Sequence, residues 1–115
     1  MPNNYVRRKL IKRKNNKKFP LITIITVVYN NASHIQKTLN SIFSQKYKNY
    51  ELIVIDGASN DGTLEIIKKN KSKIDFWISE PDKGLYDAFN KGMKYATGDY
   101  IGFVNSDDIL LPKAL

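Results

Sequence analysis

Four short apolar runs, at residues 21–29, 51–56, 75–79 and 100–104, recur along this sequence, and a segment of helical periodicity separates each from the next. The first run, LITIITVVY, is continuous rather than alternating. That is the pattern of a strand buried on both faces of a parallel sheet. Between the runs, Ile35, Leu39, Ile42 and Phe43 fall at helical spacing, as do Leu64, Ile66 and Ile67, and then Leu85, Ala88, Phe89 and Ala96. Asn30, Asn31 and Ser33 are candidate N-caps for the first helix, Thr63 opens the second, and Gly98 reads as the C′ stop of the third. Strand and helix in strict alternation predict an α/β fold: an open, mostly parallel sheet with helices on both faces and right-handed crossovers.

Composition narrows this further. A chain of 115 residues is one small domain, and with no cysteine it offers neither a disulfide nor a thiolate metal site. No apolar run has the length of a membrane span, and no apolar segment of a secretory signal follows the basic N-terminus. A soluble, cytoplasmic protein is the expectation. The net charge of +8 lies entirely in residues 1–18, which hold Arg7, Arg8, Lys9, Lys12, Arg13, Lys14, Lys17, Lys18 and no acid, whereas residues 19–115 balance eleven lysines against eleven carboxylates. The boundary near Phe19-Pro20 divides a basic arm (1–19), expected to be disordered, from a folded unit (20–115). Such an arm suits solvent or the anionic headgroups at the inner face of a membrane. Nucleic acid is the least favoured partner, because no RNA- or DNA-reading motif accompanies the charge.

In open α/β sheets ligands bind beyond the carboxyl ends of the strands, and the conspicuous polar residues fall there. Tyr29 and Asn30 end the first run, Asp56 ends the second, and Asn105, Asp107 and Asp108 follow the fourth. No GxxxxGK[ST] loop is present and no GxGxxG follows the first strand, which removes the Walker-type and dinucleotide readings. His34, the single histidine, has no cysteine or second histidine to form a transition-metal site and is expected to face solvent. Asp107 is the candidate ligand for a hard divalent cation, Mg²⁺ or Mn²⁺, which prefers carboxylate and phosphate oxygens. Spacing alone equally allows 105–108 to be a polar turn whose aspartates cap backbone amides.

Five blocks together carry a resemblance. Thr26-Val27-Val28-Tyr29-Asn30, then 55–63 (IDGASNDGT), then Ser79-Glu80-Pro81-Asp82-Lys83-Gly84, then 98–103 (GDYIGF), then Asn105-Ser106-Asp107-Asp108 resemble family 2 glycosyltransferases in order and spacing from Pro20 onwards. The resemblance implies a GT-A fold and a nucleotide-diphospho-sugar donor. It implies that Thr26, Tyr29 and Asn30 line the base and ribose pocket, and that Asp56 accepts a ring N–H of the base. It also implies that Asp82, Lys83 and Gly84 close the far wall, while Asn105 and Asp107 stand at the ends of an Asp-x-Asp element, contacting ribose and the diphosphate-bound metal. Asn105 departs from that element by keeping an acceptor oxygen and losing a charge, which puts more of the metal binding on Asp107.

The same resemblance implies further strands and a general base beyond residue 115, and none can be assigned here; Asp87 and Asp108 are stand-ins only in being carboxylates. The chain therefore reads as the donor-binding part of the fold, truncated after the fourth strand. It is expected to expose a sheet edge there, and residues 111–115 look like a first helical turn with Pro112 at its start. The leading function is inverting, metal-dependent transfer of a sugar to a saccharide or lipid-linked acceptor. The alternatives are a non-catalytic nucleotide-sugar-binding module, a phosphoacceptor signalling domain centred on Asp56, and a nucleic-acid binder acting through the arm. The signalling reading needs an acidic pair after the first strand, where this chain has Tyr29-Asn30.

Overall fold

The computed structural model of the chain describes residues 5–7 and 19–115. Its elements in order are β1 (Tyr5–Arg7), β2 (Ile22–Val28), α1 (Ile35–Phe43), β3 (Tyr50–Asp56), α2 (Thr63–Lys69), a 3₁₀ turn (Lys71–Lys73), β4 (Phe76–Ser79), α3 (Leu85–Tyr95) and β5 (Tyr100–Asn105). They form one sheet of order β1-β4-β3-β2-β5, in which β2, β3, β4 and β5 run parallel and only β1 is antiparallel. This is the four-stranded parallel core expected from the sequence, a GT-A, Rossmann-like arrangement.

Alternation along each strand splits the core in two. Ile24, Val28, Leu52 and Val54 pack with Ile35, Leu39 and Ile42 of α1 and Ile67 of α2 on one face. Ile25, Val27, Ile53, Ile55, Phe76 and Ile78 meet Ala88 of α3 on the other. The face of each helix follows from the handedness of the crossovers. The chain moves from β2 through β3 to β4 in one direction, then crosses back over β3 and β2 to place β5 on the far side. A right-handed return must put α3 on the opposite face from α1 and α2. At Gly92, α3 lies so close to β2 that an added Cβ would stand 2.5 Å from Ile25 Cγ2.

Local details differ from the sequence expectations in four places. Helix α1 starts after His34 with no side-chain cap; the Asn31 carbonyl instead accepts the N–H groups of His34 (3.2 Å) and Ile35 (3.0 Å). His34 itself is exposed, as expected. Helix α3 ends at Tyr95 with Ala96 already extended, so Ala96 is off the helix and Gly98 is not its C′ residue. The absence of a side chain at Gly98 serves packing: a Cβ there would lie 2.7 Å from Thr23 N and 2.8 Å from Leu21 O. Residues 111–115 form a turn, with Ala114 N donating to Leu111 O at 3.1 Å, in place of the expected helical start. Finally, Tyr5–Arg7 of the arm pairs with β4, where no strand was expected, and the rest of the arm lies outside the described residues. β5 is an edge strand among the described residues, and Tyr100, Ile101 and Phe103 are exposed along it.

Candidate functional site

The direction of chain winding reverses between β2 and β5, the neighbours reached by opposite crossovers. At such a switch point the loops leaving adjacent strands diverge and leave a crevice. A cleft of about 430 Å³ opens there, walled by Val27 to Asn31 at the end of β2, Asn105, Ser106 and Asp107 at the end of β5, and Asp82, Gly84, Leu85 and Ala88 from the start of α3. Six of the nine predicted site residues, Tyr29, Asn30, Asp82, Gly84, Asn105 and Asp107, thus surround one hollow.

Thr26, Asp56 and Lys83 do not form its wall. Thr26 is fully buried, and alternation sends its side chain with Ile24 and Val28 toward α1, away from the α3 side on which the cleft opens. Its hydroxyl has no hydrogen-bond partner. Asp56 is also fully buried. Its carboxylate accepts hydrogen bonds from Ser59 N (3.1 Å), Ser59 Oγ (2.5 Å) and Ser79 Oγ (2.7 Å), so it ties the ends of β3 and β4 together. Directly above, Gly57 leaves room for the side chains of Asp82 and Tyr29; a Cβ there would meet Asp82 Oδ2 at 2.8 Å and Tyr29 Cδ1 at 3.3 Å. Lys83 is exposed, and its backbone N–H donates to Asp87 Oδ2 at 2.8 Å. Asp82 in turn accepts from Gly84 N at 3.0 Å, which shapes the entry to α3.

The loops after β2 and β3 hold each other. Asn30 adopts a left-handed backbone (φ 46°), which asparagine tolerates better than most residues. Its N–H donates to Ser59 Oγ (2.8 Å), and its Oδ1 accepts from Asn60 N (2.8 Å). Asn31 N donates to Thr63 Oγ1 (3.1 Å) and Ala32 N to Asp61 Oδ2 (3.1 Å). The Thr63 hydroxyl, with the N–H groups of Ala32 and Thr63, holds the Asp61 carboxyl below its ordinary value of 3.8.

Asn31 was read from the sequence only as a cap, and the structure gives it more to do. Its amide nitrogen donates to Asp107 Oδ1 at 2.7 Å and to Ser106 Oγ at 3.0 Å, while its Oδ1 faces His34 Nδ1 at 2.9 Å. A polar stripe on α1 and just past its end holds this turn and the segment after it. Thr38 Oγ1 donates to the carbonyls of Ser106 and Asp108 (2.7 Å each), Ser41 Oγ accepts from Leu110 N (2.9 Å), and buried Gln45 bonds Leu111 O (2.7 Å) and Ala114 N (3.1 Å). The i, i+3, i+7 spacing of Thr38, Ser41 and Gln45 was visible in the sequence, but the segment it meets was not. Leu85 and Ala88 were read from the sequence on one helical face; Ala88 is in the core, and both carry the apolar face of α3 into the cleft.

The turn at 105–108 shows the capping reading in Asp108. Asp108 Oδ2 accepts from Asn105 N at 3.2 Å, so Asp108 caps the turn. Asp107 is exposed, and among the described residues its Oδ2 has no partner. No group of three His, Cys, Asp or Glu side chains able to hold a metal exists among the described residues. One carboxylate and the Asn105 amide fit a hard cation whose remaining ligands are phosphate and water, the usual habit of Mg²⁺. They do not fit a resident ion held by protein alone.

Comparison with known proteins agrees with this geometry. The model of glycosyl transferase family 2 matches residues 23–115. An uncharacterised glycosyltransferase of Mycobacterium tuberculosis is 38% identical over 90 residues, covering 77% of this chain and 34% of its own. The putative teichuronic acid biosynthesis glycosyltransferase TuaG of Bacillus subtilis is 37% identical over 93 residues, covering 77% and 36%. Among solved structures, a mannosyltransferase of Pyrobaculum calidifontis in complex with GDP-Man and Mn²⁺ superposes with a TM-score of 0.75 at 27% identity, covering 82% of this chain and 29% of that one. S. aureus TarS in complex with UDP-GlcNAc gives 0.71 at 30%, covering 80% and 28%. The chain spans about a third of the length of the curated relatives it matches. With a family match across nearly all of the folded unit and a crevice at the fold's ligand-binding end, the chain belongs to glycosyl transferase family 2.

Proposed function

We propose that the cleft binds a nucleotide-diphospho-sugar, and that the chain is the donor-binding part of an enzyme that passes the sugar, with inversion, to a saccharide or lipid-linked acceptor. The observation that carries this reading is the convergence of Tyr29, Asn30, Asp82, Gly84, Asn105 and Asp107, from three separate strand ends, on one hollow at the switch point. Exposed Tyr29 offers a ring face to a base, and Asn30 and Asn105 offer amide oxygens to ribose hydroxyls. Asp56 has about four acceptor sites and uses three on Ser59 and Ser79, which leaves one for a ring N–H of the base. Asp107 presents Oδ2 toward the diphosphate.

In the transfer, an acceptor oxygen bonds to the anomeric carbon as the bond from that carbon to the diphosphate oxygen breaks, and the nucleoside diphosphate departs with the electron pair. A Mn²⁺ or Mg²⁺ ion at Asp107 would offset the charge developing on that leaving group. Single displacement inverts the anomeric centre and needs a base for the acceptor proton. The two stand-in carboxylates are each engaged: Asp108 caps Asn105 N, and Asp87 holds Lys83 N and pairs with Lys91 at 3.8 Å. That observation favours a second reading, in which the segment alone binds donor without turnover. No helix among the described residues is long and apolar enough to cross a membrane. A cytoplasmic location, with the basic arm touching the inner membrane face, completes the proposal.

Calorimetric titration with UDP, GDP and dTDP, in Mn²⁺ and then in EDTA, tests it. We expect one nucleotide to bind, to need the metal, and to bind more weakly to Asp107→Ala. A cooperatively melting chain that binds none of the three overturns the proposal. Incubation with the matching nucleotide-sugar separates enzyme from binding module by release of free nucleotide.

A further inference from the structure

The folded unit is neutral in sequence, and the fold separates its charges. In parallel α/β topology every helix-to-strand connection lies at the amino ends of the strands, opposite the cleft. Seven of the eleven lysines in residues 19–115 fall on those connections or in the last helical turns that lead to them. Lys46 and Lys48 join α1 to β3, Lys68, Lys69, Lys71 and Lys73 close α2 and lead to β4, and Lys94 is in the last turn of α3. All seven are exposed. Lys48 and Lys73, from different connections, meet at one residue: Lys48 Nζ donates to Phe43 O at 2.9 Å, and Lys73 Nζ stands 5.3 Å from the Phe43 ring centroid.

The carboxylates at this end are largely withdrawn. Glu51 is buried and bonded to Thr23 and Thr97, and Asp75 is buried and bonded to Leu52 N. Asp99 accepts from Leu21 N. Among the described residues none of the seven lysines is ion-paired; the pairs found join Lys91 to Glu80 and Asp87. The basic arm leads into β2 at this same end, through Phe19 and Pro20.

We propose that this basal lysine face is a docking surface for an anionic lipid membrane. Helix dipoles favour lysine in last turns, but they do not account for Lys46 and Lys48, which lie beyond the end of α1. The face carries lysine point charges and no arginine, and no base-reading motif accompanies it, which favours headgroups over nucleic acid. Docked this way, the cleft points off the surface by about the length of β2, or roughly 23 Å for seven residues. That height suits an acceptor saccharide reaching out from the membrane.

Sedimentation of the full chain with vesicles of phosphatidylcholine, alone or mixed with phosphatidylglycerol, is the test. We expect binding only to the anionic vesicles, reversed by salt. Lys46→Gln/Lys48→Gln and Lys71→Gln/Lys73→Gln should each weaken it by about thirtyfold at low salt. Lys37→Gln/Lys83→Gln, of equal charge and at the start of α1 and α3 on the opposite end, should weaken it far less. Unchanged thermal melts show that the exposed substitutions leave the fold intact. Absence of vesicle binding, equal losses in all three pairs, or losses in none overturns the proposal. So does a chain that ignores vesicles but binds duplex DNA through the same lysines.

Discussion

Asn31→Ala isolates the device that holds the proposed cation ligand. Asp107 is exposed and would sample several rotamers were its Oδ1 not held at 2.7 Å by Asn31 Nδ2, a short, charge-assisted contact. Asn31 is itself fixed, by its N–H on Thr63 Oγ1 and its Oδ1 on His34 Nδ1. Removing the amide obliges Asp107 to be ordered at the moment of binding, at about 0.5–1.5 kcal/mol for one side chain. Partners that orient metal ligands are typically worth about 10–100-fold in affinity. The two ranges meet near tenfold, which is the expected loss in nucleotide affinity in Mn²⁺. In EDTA neither parent nor variant should bind, because the nucleotide needs the metal that Asp107 holds. The assay is calorimetry in both conditions, with a thermal melt to confirm folding; the lost bond is solvent-accessible and should shift the midpoint by only a few degrees. A folded Asn31→Ala chain that binds nucleotide in Mn²⁺ as tightly as the parent would refute the positioning role.

Gly98→Ala should destabilise by about 1–3 kcal/mol, because its Cβ would strike backbone atoms of Leu21 and Thr23 that cannot yield; an unchanged denaturation midpoint would contradict the packing described. Gln45→Ala should release the segment after β5, read as lost hydrogen-exchange protection at Ala114 and Leu115, while the amides of β3 stay protected. Asp61, held below its ordinary value of 3.8, favours the fold above that pH, and the contribution fades as pH falls through the lowered value. Asp61→Asn should therefore flatten the acid limb of a stability profile, and a superimposable profile would count against the loop contacts. Asp56→Asn keeps the shape but turns an acceptor oxygen into a donor facing Ser59 or Ser79, so both stability and nucleotide affinity should fall; loss of only one would separate its two roles.

The sequence by itself determined the order and kind of the elements. Periods of two and 3.6 are local properties, and continuous Ile/Val runs such as 21–29 declare burial on both faces without reference to any neighbour. It also placed Tyr29, Asn30, Asn105 and Asp107 at strand ends, and so at the binding end of any parallel sheet. What it could not carry was adjacency. Asn31 next to Asp107, Thr38 beneath Ser106 and Gln45 beneath Ala114 join residues roughly seventy positions apart, and only the reversed crossover that sets β5 beside β2 brings them together. Gly98 looked like a helix stop because local signals cannot show the backbone of Leu21 and Thr23 against it. That Thr26 turns toward α1, and that Asp56 is buried between Ser59 and Ser79, depended on packing that their places in the chain do not show. Charge shows the same division: a neutral sequence becomes a polarised molecule once parallel winding sends every helix-to-strand connection to one end and most carboxylates to the other.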